Sequence, residues 1–111
     1  MKRAAWLVAA VLVAWPMGAP AQPGDSSLTG TQRLGMRLFN QSCRVCHTKP
    51  QIGSSLYGPA LSRQSAGGQE ATMRQIISNG TPRMPGFKHH FQPAQIDAIV
   101  AYLKTVPAPA P

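Results

Sequence analysis

The chain has 111 residues and carries eleven Lys or Arg against three Asp or Glu, a formal charge of +8. That length leaves room for one domain at most. The basic residues form no block and are not interleaved with aromatics, so nucleic acid is excluded as a partner and an acidic protein surface fits better.

Residues 1–21 read as a secretory signal peptide. Lys2 and Arg3 form a positive start, an apolar run extends from Trp6 to Trp15, and Ala19-Pro20-Ala21 resembles a cleavage site. The apolar run is ten residues long, whereas a membrane-spanning helix needs about 20, so no stable membrane insertion is expected. Cleavage before Gln22 leaves nine Lys or Arg against Asp25, Glu70 and Asp97, a formal charge of +6. Residues 22–30 are rich in Gly, Pro, Ser and Thr and read as a flexible leader.

The spacing of Leu34 with Leu38 and of Gly35 with Phe39 predicts a helix over residues 31–43. Gly35 within that helix costs about 1 kcal/mol relative to Ala, which calls for compensation by a close neighbour.

Cys43-Arg44-Val45-Cys46-His47 follows at once. C-x-x-C-H is the attachment pattern of a c-type haem. Two thiols three residues apart on a helical turn face one porphyrin edge, and His47 directly afterwards reaches the iron from one face. A thioredoxin-like dithiol needs a βαβ setting that the sequence lacks, and it has no use for the trailing His. Structural zinc needs four ligands, two of which would have to come from His47, His89 and His90.

A Gly- and Ser-rich loop is expected over residues 48–68, containing Tyr57-Gly58-Pro59-Ala60-Leu61. A short helix over residues 69–79 presents Met73, Ile76 and Ile77 on one face, with Gly80 as a left-handed C-terminal cap. Two Pro and two Gly in residues 80–87 make that stretch a loop. The last helix starts at Pro93 and is expected to run to about residue 106. Ile96, Ile99, Val100 and Leu103 form its buried stripe, with Tyr102 beside it. Gln92 is a poor N-cap and weakens its start. Pro107 stops the helix, leaving residues 107–111 as a Pro/Ala tail. The fold class is therefore all-α.

Taken together, residues 31–106 resemble the class I cytochromes c, with three main helices around one covalently attached haem. The resemblance places Gly35 and Phe39 of the first helix against Ile99 and Tyr102 of the last, where the missing side chain lets two backbones approach. It matches Gly58-Pro59-Ala60-Leu61 to the stretch whose Pro carbonyl accepts a hydrogen bond from the proximal imidazole, here Pro59 and His47. It also implies that Met84, followed by Pro85, is the distal ligand, so that His47 and Met84 bind the iron. Met36, Met73, His89 and His90 are the rivals for that place. The family's Trp partner for a haem propionate is missing from the mature chain, and Tyr57 or Arg63 stands in reach of that role.

The resemblance implies a periplasmic, non-enzymatic electron-transfer protein carrying one electron on haem c, either diffusing freely or docked as the haem subunit of a dehydrogenase. Its donor and acceptor are expected to be redox proteins with acidic docking surfaces. Two ionised propionates lower the mature charge to about +4. Arg44, Lys49, Arg83 and Lys88 are the cations expected near the haem edge. The alternative is a gas- or peroxide-binding haem protein with a labile distal ligand.

Overall fold

The structure, a computed structural model, describes residues 27–50 and 52–110. The expected signal peptide, its cleavage point and residues 22–26 of the leader lie outside the described residues. Four helices occur in chain order: α1 (Gly30–Ser42), α2 (Arg44–His47), α3 (Glu70–Asn79) and α4 (Pro93–Leu103), with a 3₁₀ turn at Ser65–Gly68. Among the described residues there is no strand beyond an isolated bridge between Thr81 and Met84. None of their helices is long and apolar enough to cross a membrane. The all-α expectation holds, with three main helices and the single turn of α2.

Helix α1 begins with a reciprocal cap that the pattern reading passed over. Gln32 N donates to Thr29 Oγ1 at 3.2 Å, and Thr29 N donates to Gln32 Oε1 at 2.9 Å. Such a pair satisfies two of the donors left open at a helix start, and a Thr cap contributes about 1 kcal/mol. At α4 the weak Gln92 start is offset in the same manner. Gln95 Oε1 accepts from Gln92 N at 2.8 Å, while Pro93 occupies the first helical position. Helix α4 ends at Leu103, three residues short of the expected limit, and residues 104–106 continue only as turns.

The principal packing is α1 across α4, with α3 against the other side of α4. Leu38 and Phe39 from α1, Met73 and Ile77 from α3, and Ile96, Ile99, Val100 and Leu103 from α4 form the core with Cys43 and Phe91. Burying such side chains contributes about 1.5–3 kcal/mol apiece. The α1–α4 crossing is pinned at Gly35. A Cβ there would collide with the Ala98 carbonyl and lie 2.9 Å from Tyr102 Cβ. Tyr102 stands against Gly35 as expected, the nearest atoms are those of the Ala98 backbone, and Ile99 is buried in the core. Phe39 and Tyr102 pack with ring centroids 5.6 Å apart.

Helix α3 ends differently from expectation. Gly80 has φ 74° and ψ −172°, so its positive φ is as expected, but its ψ extends the chain instead of curling it into a left-handed turn. That conformation is accessible essentially to glycine alone. The chain then doubles back: Phe87 N donates to Ile77 O at 2.9 Å and Lys88 N to Ser78 O at 3.1 Å. The last carbonyls of α3 are satisfied by the returning loop, which fixes residues 81–87 to the helix end.

Candidate functional site

The motif residues sit at a break between two helices. Cys43 closes α1, its N–H donating to Phe39 O at 2.8 Å, and its carbonyl then accepts from His47 N at 3.1 Å to build α2. Cys43, Cys46 and His47 thereby share one helical turn. Cys43 is buried in the core, and burial, followed by the nearby Cys46, pushes its thiol up to about 11. Cys46 and His47 are half-buried and line a cavity of about 760 Å³.

The imidazole is oriented by the opposite wall. His47 Nδ1 lies 2.7 Å from the Pro59 carbonyl oxygen. A carbonyl only accepts, so Nδ1 is the donor here, which leaves Nε2 as the nitrogen available to a metal. Gly58 holds this wall close: its N–H donates to Cys46 O at 2.8 Å, and a Cβ on it would stand 2.8 Å from His47 Cε1. The family resemblance pointed to the Pro59 carbonyl but not to this role of Gly58. The available signal was a Gly directly before Pro in a loop that must approach a ring.

The far wall is built by α3, by the end of α4 and by the returning loop. Met73, Ile76, Ile77 and Leu103 contribute its apolar surface, and Met84 enters from the loop. Met84 is held by a two-way backbone exchange, with Thr81 N donating to Met84 O at 2.8 Å and Met84 N to Thr81 O at 3.2 Å. Of the rival ligands, Met73 also lines the cavity, where it is almost fully buried as a core residue. Met36, His89 and His90 do not line it, and both His are exposed. His90 instead packs edge-on to Phe91, with centroids 4.7 Å apart.

Tyr57 lines the cavity and is exposed, whereas Arg63 does not line it. The cation on the rim is Arg83, whose guanidinium stands over the Tyr57 ring with its carbon 5.3 Å from the centroid. Ala66, in the left-handed region at φ 52°, also lines the wall, a role the sequence pattern did not suggest. The structure thus brings Cys46, His47, Pro59 and Met84 to one cavity, with Cys43 three residues back on the same turn.

These residues fit a haem. The cavity is of ligand-binding size with mainly apolar walls, one imidazole has its second nitrogen committed, a thioether is present, and a cation stands on the rim.

Comparison with known proteins agrees with that fit. Residues 30–103 match the family described as cytochrome c oxidase, cbb3-type, subunit III. The 4-cresol dehydrogenase [hydroxylating] cytochrome c subunit of Pseudomonas putida is 30% identical over 88% of this chain and 82% of its own length. A cytochrome c-553-like protein of Synechocystis sp. is 32% identical over 72% of this chain and 73% of its own length. Dihydro-heme d1 dehydrogenase of Pseudomonas aeruginosa is 35% identical over 86% of this chain, which spans 18% of that longer protein.

Proposed function

The chain belongs to the small class I c-type cytochromes, and we propose that it carries single electrons with His47 and Met84 as axial ligands of its haem. The observation that supports this reading most is the shared cavity. It is lined by an imidazole fixed by Pro59 and by a loop-borne thioether.

When bound, haem c supplies an iron that alternates between Fe(III) and Fe(II). The residues of the chain do the rest. Cys43 and Cys46 hold the group by thioether bonds. Pro59 keeps His47 in one orientation and one tautomer, and raises its basicity as a ligand. Met84 favours the reduced state, because a thioether is a soft, neutral donor. With both His47 and Met84 committed to the haem, the site would offer oxygen or peroxide no place to bind, so no substrate chemistry is assigned to it. Ready carbon monoxide binding by the reduced protein would move the assignment to a gas- or peroxide-binding protein.

The processed protein starts at Gln22, with its haem domain over residues 31–106, and works in the periplasm. Its partners are redox proteins with acidic docking surfaces, and one of them is a dehydrogenase if the chain acts as a docked subunit. Arg44 and Lys49 are exposed beside Val45, which is 84% exposed, and Ile52 is 88% exposed. An acidic, partly apolar surface complements that combination. Intact mass spectrometry of protein matured in a haem-attaching host tests this framework. The expected species begins at Gln22 and carries one haem, lost in Cys43→Ala/Cys46→Ala; a haem-free chain contradicts it.

A further inference from the structure

Two loops face each other across the cavity. Residues 57–61 are fastened to α2 by the bonds from Gly58 N to Cys46 O and from His47 to Pro59 O. Residues 81–87 are fastened to the end of α3 by the bonds from Phe87 N and Lys88 N. Among the described residues, no hydrogen bond joins one of these loops to the other. The Arg83 guanidinium over the Tyr57 ring joins them instead. Arg83 is next to Met84 in the chain, and its own N–H donates to Thr81 Oγ1 at 3.3 Å.

We propose that Arg83 and Tyr57 form a clasp that holds the Met84 loop closed against the His47 side of the cavity, which makes them positioning residues for Met84. The proposal rests on the reading of Met84 as an axial ligand. A small external ligand such as imidazole reaches that position only when the loop swings out. Swinging out takes the Arg83 guanidinium off the ring, so the cation–π attraction opposes opening. The apparent affinity of an external ligand scales with the open fraction. For a pair as exposed as this one, with Tyr57 61% exposed, the clasp changes that fraction about two- to fivefold.

The test is imidazole titration of the oxidised holoprotein, followed by loss of the far-red sulfur-to-iron band. Arg83→Ala, Tyr57→Leu, the double variant and Tyr57→Phe are compared with the parent. Each of the first two raises imidazole affinity about two- to fivefold, and the double variant exceeds neither single by more than experimental scatter. Tyr57→Phe, which keeps a ring under the guanidinium, raises the affinity less than Tyr57→Leu does. Additive effects in the double variant, or unchanged affinity in both singles, overturn the clasp while leaving Met84 as the ligand. Absence of the far-red band in the parent overturns the axial assignment and the clasp with it.

Discussion

Gly35→Ala decides between two opposite expectations. Helix propensity alone favours Ala by about 1 kcal/mol, which predicts stabilisation. The crossing predicts the reverse. The new Cβ would meet backbone on the facing helix, 2.5 Å from the Ala98 carbonyl carbon, with Tyr102 Cβ at 2.9 Å. Neither neighbour can turn aside as a flexible side chain does, so the helices must part by about 1 Å, and such a gap forfeits roughly a quarter to a half of the contact attraction. Leu38, Phe39, Ile99 and Leu103 are among the buried side chains that α1 and α4 contribute to the core. At about 2 kcal/mol each, a quarter of their contribution is about 2 kcal/mol. Overpacking strain adds about 1–3 kcal/mol. Set against the propensity gain, the net loss is about 2–4 kcal/mol, which lowers Tm by about 8 °C or more in a domain of this size. Thermal unfolding of the holoprotein followed by far-ultraviolet circular dichroism reads the answer. A Tm equal to or above the parent's would refute the close-crossing argument.

Gly58→Ala presses a methyl onto the His47 ring, 2.9 Å from Nδ1, and costs about 1–3 kcal/mol of stability with a shifted reduction potential; an unchanged melt and potential would show that this wall yields. Without haem, the cavity of about 760 Å³ loses the apolar group that fills it, and the short helices supply little other core in a domain this small, so the apo chain is expected to be molten. Native helix content in Cys43→Ala/Cys46→Ala without haem contradicts that. Alkylation of the unreacted parent chain checks the same point. A closed core keeps Cys43 protonated up to about 11, against 9.0 for an ordinary thiol, and slows its reaction about a hundredfold at pH 8. Between those two values a thiol with a raised folded pKa loses stability as pH rises, because the unfolded chain releases its proton first. A molten chain instead alkylates Cys43 and Cys46 at rates within a few-fold of one another. Association with an acidic redox partner is expected to slow as salt rises, and a rate flat across ionic strength would remove Arg44, Lys49, Arg83 and Lys88 from the docking surface.

The helices were legible because their apolar spacing is strong and Pro and Gly mark their ends. Gly35 was legible for the same reason, since a glycine inside a good helix demands a close neighbour. Its actual neighbour, Ala98, is small and carries no pattern of its own. The Gln pairs that cap α4 and complete the cap of α1 were missed because polar residues near a helix start look alike until a side chain folds back. At the site, the haem motif could be read from a short local pattern, and the Pro59 and Met84 loops were reached only through the resemblance to a known family. Gly58 beneath the imidazole, Ala66 in the wall and Arg83 over Tyr57 could be read from neither, because each depends on two segments meeting across the cavity.

The most direct test of the account is the optical spectrum of the oxidised holoprotein in the far red. His47/Met84 ligation predicts a sulfur-to-iron charge-transfer band that disappears in Met84→Ala. A parent protein without the band, or a band that survives in Met84→Ala, contradicts it.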